Sequence, residues 1–383
     1  MNTSAAGSPV RRLVWLDVLR FIAIFMVVCC HCTDPFNVAP AARLDPDYNF
    51  WGSLYGSFVR PCVPLFAIMT GLLLLPVRQE AGPFYKKRIL RVLFPFLIWS
   101  VLYNLFPWFT GLLGLEPAVI TDFFAYAGDA PSQSLADSLK NIALIPFDFT
   151  VYTTHMWYIY MLIGLYLFMP FFSGWMEKAG DSMKRTFLVL WIVSLFLPYA
   201  HEYISQNLFG TCSWNAFGTF YYFAGFAGYL FIGYYFARGV SWSTGKIVGL
   251  GLLMFAVGYA VTYTGFRAIT ADPDATEPQV ELFFTYCSPN VFLMTLPILL
   301  AVQRIKITSP ALVRALANLT KCGYGIYMVH YFFVGIAYML IGKIHTPVAA
   351  QIPVTAVLVF ACAWGFTAAV YKLMPKQARW IMG

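Results

Sequence analysis

The chain has 383 residues, 60% of them hydrophobic and 11% charged, with a formal net charge of +8 and a mean hydropathy of +0.68. Soluble globular proteins carry about 25% charged residues, so this balance excludes a soluble fold and identifies an all-α integral membrane protein. The positive charge gives no reason to invoke nucleic acid, because the basic residues are spread over six separated segments along the chain. A hydrocarbon core of ~30 Å needs about 20 mostly apolar residues per helix, and about ten such transmembrane segments succeed one another. In chain order they are Leu13 to Thr33, Ser53 to Pro76, Ile89 to Phe109, Thr154 to Phe172, Arg185 to His201, Phe217 to Ala237, Lys246 to Thr264, Glu281 to Val302, Cys322 to Ile341 and Gln351 to Met374. The longest connection, Gly111 to Thr153, holds a short helical pattern at "SLADSLKNIALI", Ser134 to Ile145.

Lysine and arginine collect on the cytoplasmic side of a membrane protein, whereas acidic residues contribute little to orientation. With the N-terminus inside, nineteen of the 25 basic residues fall in inner segments, and the outer loops hold only Arg43, Lys140, Arg267 and Lys343. Both termini are therefore expected in the cytoplasm. Arg11 and Arg12 before an apolar run, with "APA" at Ala39 to Ala41, also have the outline of a signal peptide. Its removal would leave nine spans and break the charge alternation, so the run is read as a retained helix. No heptad, low-complexity tract or strong internal repeat is present, and about nine residues follow the tenth span. A single membrane-embedded domain over residues 1–383, with no appended soluble domain, is the expected organisation.

An ionisable side chain at bilayer depth costs at least ~2.5 kcal/mol on insertion scales and usually faces a cavity or a partner. Arg20, His31, Arg60 and His330 are such residues. Eleven helical steps of about 100° return almost to the starting direction, so Arg20 and His31 share one face of the first span roughly 16 Å apart. Asp17, one turn before Arg20, is its natural ion-pair partner. Arg60 lies in "VRPCVP", where Pro61 and Pro64 free backbone carbonyls that a guanidinium can satisfy, so it is read equally as structural or site-lining. His155 opens the fourth span and His330 lies about eight residues into the ninth, so these two and His31 can border one cavity. Histidine moves a proton near neutral pH, and such a cavity suits acid/base chemistry or proton-coupled transport.

At the start of the third span, "FYKKRILRVLFPF" places Arg88 and Arg91 one turn apart, where they can fork onto phosphate oxygens. Positive-inside anchoring accounts for Lys86 and Lys87 and competes for the arginines. The eight cysteines show no disulfide framework. The "CCHC" run around His31 does not make a metal site, because adjacent helical residues point about 100° apart. Small apolar packing is the main reading of these cysteines, with an acyl-carrying thiol at Cys29 or Cys30 as the functional one.

Arg20, ten intervening residues and His31 resemble the arginine-x10-histidine signature of the membrane acyltransferase 3 family, which includes bacterial polysaccharide and peptidoglycan O-acetyltransferases. "VPLFAIMTGLLLL" (Val63 to Leu75) resembles the family's second span, "RILRVLFPF" its third, "HMWYIYMLIGLYLFMPF" its fourth and "YGIYMVH" its ninth. Thr70 and Gly323 stand where the family usually has serine, which weakens a hydroxyl role there. The resemblance implies a multi-pass protein of the bacterial cytoplasmic (inner) membrane. It would move an acyl group, usually acetyl, from cytoplasmic acyl-coenzyme A to a hydroxyl of a cell-surface or lipid-linked carbohydrate. Acyl-coenzyme A would be a co-substrate, with no permanently bound cofactor and no metal. In this reading His31 is the general base, Arg20 the charge stabiliser and Asp34 the residue that orients the imidazole. Arg60, His155, Trp157, Tyr324 and His330 would line the substrate site, and Lys87, Arg88 and Arg91 would hold the coenzyme. The rival reading is a proton-coupled secondary transporter or polysaccharide exporter, against which no paired glycine-broken segments in two related halves are found.

Overall fold

The computed structural model describes residues 13–37, 40–114, 133–237, 239–344 and 346–383. Arg11, Arg12, Ala39 and Arg238, which entered the topology reading, lie outside the described residues. The helices are α1 (Val14–Asn37), α2 (Pro40–Leu44), α3 (Pro46–Phe58), α4 (Cys62–Leu74), α5 (Ala81–Leu112), α6 (Leu135–Leu144), α7 (Trp157–Lys178), α8 (Asp181–Ser194) and α9 (Leu197–Tyr203). They continue with α10 (Ala227–Tyr235), α11 (Thr244–Thr270), α12 (Glu277–Val280), α13 (Pro289–Val302), α14 (Pro310–Gly342), α15 (Val348–Leu373) and α16 (Ala378–Ile381). No β-strand occurs among the described residues.

Among the described residues, eight stretches are long and apolar enough to cross a membrane: α1, Pro46–Leu74, α5, Val151–Lys178, Asp181–Tyr203, α11, α14 and α15. They coincide with eight of the ten expected segments, and the protein is a multi-pass, all-α membrane protein. The other two are shorter than the hydropathy implies. Within Phe217 to Ala237 only the nine residues of α10 are α-helical, because Gly218 and Gly225 hold φ of 54° and 88°, a left-handed backbone that no α-helix continues through. Within Glu281 to Val302 the helix begins only at α13, with Ser288 as N-cap and Pro289 in the first turn.

The second span is broken. α3 ends at Phe58 and α4 starts at Cys62, and Pro61 between them has no N–H to continue the ladder. The Arg60 Nε donates to the Gly56 carbonyl at 3.0 Å, and its guanidinium lies 3.9 Å from the centre of the Phe284 ring. The break is thus sealed by a buried cation on an aromatic face.

α1 is the central helix, packing on α3, α4, α14 and α15. Its buried residues run around most of its circumference, as expected of a helix enclosed by others. Buried polar groups are tied to distant segments: Tyr103 donates to the Met328 carbonyl at 3.0 Å, Trp99 to the Ile381 carbonyl at 2.9 Å, and Asn290 to Thr262 at 2.8 Å. In an apolar surrounding such groups must find partners within the protein.

The short helix α6 is capped by the Ser134 side chain, which accepts from the Asp137 N–H. The charge asymmetry of the sequence predicts that α6 lies on the outer face. A single cysteine at the exposed Lys140, in a chain with Cys212 and Cys362 replaced, is expected to react with an impermeant thiol reagent added outside. Reaction from the inside alone would reverse the assigned orientation.

Candidate active site

Ile24 and Val27 lie between Arg20 and His31 on one stripe of α1, and all four residues line a single cavity of about 270 Å³. Arg20 binds the buried Asp17 carboxylate at 3.2 Å, and the Thr320 hydroxyl of α14 donates to the same Asp17 oxygen at 2.7 Å. The pairing holds the guanidinium in place while the Arg20 side chain keeps a quarter of its surface exposed. At the other end of the stripe, the His31 Nδ1 lies 2.9 Å from the Asp34 carboxylate, one turn on. An ionised carboxylate only accepts, so Nδ1 carries the hydrogen and Nε2 is left as the proton acceptor.

His155 and His330 stand against His31. The ring centres are 6.2 Å apart for His31 and His155, 5.2 Å for His31 and His330, and 5.5 Å for His155 and His330. Three histidines from α1, the turn before α7 and α14 therefore meet at one point, with only His31 and His155 on the cavity wall. Tyr327 joins the other two: its hydroxyl donates to the His155 carbonyl, and its own carbonyl accepts from His330 Nδ1 at 2.7 Å. Both ring nitrogens of His155 and Nε2 of His330 are buried with no hydrogen-bond partner in the protein. Buried polar atoms left in this way are costly, and a polar group entering the cavity would satisfy those of His155, which lies on its wall.

The cationic end of the cavity is formed by Arg88 and Arg91 from the first turns of α5, together with Arg20. Arg88 Nε is buried and has no partner in the protein, so part of its donor fork is open to an anion. Tyr324 borders the same end and is fixed by a hydrogen bond of 2.8 Å from its hydroxyl to the Val92 carbonyl. Trp157 lines the cavity beside His155, its ring stacked on Tyr286 with centres 5.7 Å apart.

The structure gathers Arg20, His31, Arg88, Arg91, His155, Trp157 and Tyr324 around one space, with Asp34 and His330 directly behind His31. Besides Asp34 and His330, two proposed residues lie outside the wall. Arg60 is engaged by Gly56 and Phe284, and Lys87 is exposed on another face of α5, about 100° from Arg88. Tyr327 was not singled out from sequence, although its place three residues before His330 put it on the same helix face. Thr70, at the usual serine position, lines the cavity and donates to the Phe66 carbonyl at 2.9 Å. At the other position, a side chain on Gly323 would meet Ile24 Cδ1 at 2.7 Å, so α14 and α1 lie close together there.

The sequence model described as an acyltransferase domain matches residues 13–371, nearly the whole chain. No curated protein and no solved structure matches it. A match of that extent, over a bundle that folds the arginine and histidine of the first span onto one cavity, shows that the chain belongs to the membrane acyltransferase 3 family.

Proposed function

We propose that this protein takes an acyl group, acetyl in the first instance, from cytoplasmic acyl-coenzyme A. The acceptor is a hydroxyl of a cell-surface or lipid-linked carbohydrate at the bacterial cytoplasmic membrane. The observation that carries this reading is the cavity itself, with a cationic end at Arg88, Arg91 and Arg20 and a His31–Asp34 pair at the other. Arginine forks match phosphate oxygens, so the cationic end suits the phosphates of the coenzyme. The extended acyl-pantetheine arm then follows the α1 stripe toward His31, a distance of roughly 16 Å for eleven helical residues. His31 Nε2 takes the proton of the attacking hydroxyl, and Asp34 holds the ring and favours the imidazolium that forms. Arg20, already fixed by Asp17 at the cationic end, stabilises negative charge on the donor, where low dielectric strengthens the interaction.

Purified protein in proteoliposomes with labelled acetyl-coenzyme A tests the reaction directly. Release of coenzyme A that depends on a glycan acceptor is the expected result, and solute uptake without thioester cleavage would support a transporter. The double variant Arg88→Ala with Arg91→Ala is expected to raise the apparent KM for acetyl-coenzyme A about tenfold or more, from two lost charge-assisted contacts. Insertion should survive, since most inner basic residues remain. Unchanged coenzyme affinity would return both arginines to membrane anchoring.

A further inference from the structure

Two cysteines stand on the cavity wall that the transfer scheme does not use. Cys30 on α1 and Cys62 at the start of α4 are both buried and both line the space that holds His31. Cys29 and Cys32, on the same turn of α1, do not line it. Helical geometry explains the difference, since residues 27, 30 and 31 share the face that residues 29 and 32 turn away from. Cys62 lies beside Cys30 on this wall, and the Arg60 guanidinium, the His31 imidazole and the Asp34 carboxylate all act electrostatically on the Cys30 sulfur. Arg60, anchored at the helix break two residues before Cys62, thus places a fixed positive charge near a wall thiol. A thiol with a cation and a base for neighbours has the features of an activated nucleophile.

The geometry points to Cys30 as a covalent acyl carrier, resting on the acyl-coenzyme A reading above: the acyl group passes from the coenzyme to the Cys30 sulfur before it reaches the acceptor hydroxyl. Cavity size favours two steps over one. A volume of about 270 Å³ lies at the small end for a single drug-sized ligand, for which roughly 300 Å³ and more is usual, which favours using the space for donor and acceptor in turn. In the first step the Cys30 proton moves to His31 Nε2 and the sulfur attacks the thioester carbonyl carbon. The carbon–sulfur bond to the coenzyme breaks, and the departing thiolate regains the proton as free coenzyme A. In the second, the acceptor hydroxyl gives its proton to His31 and its oxygen attacks the acyl carbon. Cys30 then leaves as a thiolate and takes that proton. One thioester replaces another in the first step, so no oxidant, reductant or further co-reactant is needed.

The full-length protein incubated with radiolabelled acetyl-coenzyme A and no acceptor should retain label after denaturation. Neutral hydroxylamine should release it, and peptide mass analysis should place it on Cys30. Isotope exchange between acetyl-coenzyme A and free coenzyme A should also proceed without acceptor. Cys30→Ala should lose label and exchange and fall by ~10² or more in transfer. Cys32→Ala, a buried neighbour off the wall, should keep all three and thereby control for folding. Wild-type transfer by Cys30→Ala, label mapped to Cys62 or a histidine, or transfer by the wild-type protein with neither label nor exchange would each overturn the carrier role while sparing the acyl-coenzyme A reading. Failure of the wild-type protein to consume acetyl-coenzyme A with any glycan present would overturn that reading and the carrier with it.

Discussion

His31→Gln is expected to yield a folded, membrane-inserted protein whose acyl transfer falls by ~10² or more, the usual effect of removing a general base. Glutamine is close in size and its amide can still donate to Asp34, so the 2.9 Å contact has a replacement, but it cannot accept and release a proton near neutrality. A loss of ~10² corresponds to about 2.7 kcal/mol of transition-state stabilisation. Asp34→Asn tests the same pair from the other side. The asparagine amide can donate to Nδ1, which places the hydrogen on Nε2 and removes the acceptor, and a comparable loss is expected. His155→Gln and His330→Gln should cost less, because His330 is off the wall and both stand beside the reacting imidazole. Arg20→Lys keeps the charge and the Asp17 partner and loses the planar fork, so a large loss there would identify a directed contact. The measurement is initial transfer rate at matched amounts of monodisperse protein. Near wild-type transfer by His31→Gln would make His31 a structural histidine and send the search for the base to His155.

The parts of this site that were legible in the sequence are those governed by a single helix. The shared face of Arg20 and His31, the reach of Asp17 to Arg20 and of Asp34 to His31, and the pairing of Arg88 with Arg91 all follow from spacings of three and eleven residues. That Arg60 meets a backbone carbonyl at the helix break was also readable, although the carbonyl is that of Gly56 and not that of Ser57, which Pro61 leaves without a donor. What Arg60 stacks on was not. Phe284 is more than two hundred residues away, and no pattern around "VRPCVP" announces it. The convergence of His31, His155 and His330 could be suggested from depth alone, whereas their bonding through Tyr327 depends on how α14 is rotated against the turn before α7. Hydropathy overstated two spans for a related reason. It counts apolar residues and is blind to whether Gly218 and Gly225 turn the backbone out of a helix.

Substituting valine at Gly71 or Gly233 is expected to abolish the folded, monodisperse protein. α10 has nine residues, so it rises only ~13.5 Å and cannot cross a ~30 Å core unaided. A helix that short holds its place in the bundle through a close and fixed neighbour. That neighbour is α4. A side-chain carbon at Gly71 would lie 1.9 Å from the Leu230 carbonyl oxygen, and one at Gly233 would lie 2.0 Å from the Ile68 carbonyl oxygen. The two helices therefore touch backbone to backbone at both glycines, the small-residue packing that membrane helices use for close association. Because the obstructing atoms are backbone, rotamer changes cannot relieve the clash, and the cost exceeds the ~1–3 kcal/mol of an ordinary overpacked core. The consequence extends to the chemistry, since α4 carries Cys62, Phe66, Met69 and Thr70 of the cavity wall, and displacing it from α10 opens that wall. Gly164→Ala in α7, where an added carbon meets nothing within 4 Å, serves as the control and should match or slightly exceed the parent in stability. Size-exclusion profile and melting temperature in detergent decide the matter. Parental yield and melting temperature for Gly71→Val and Gly233→Val would mean that α4 and α10 are not held in this contact.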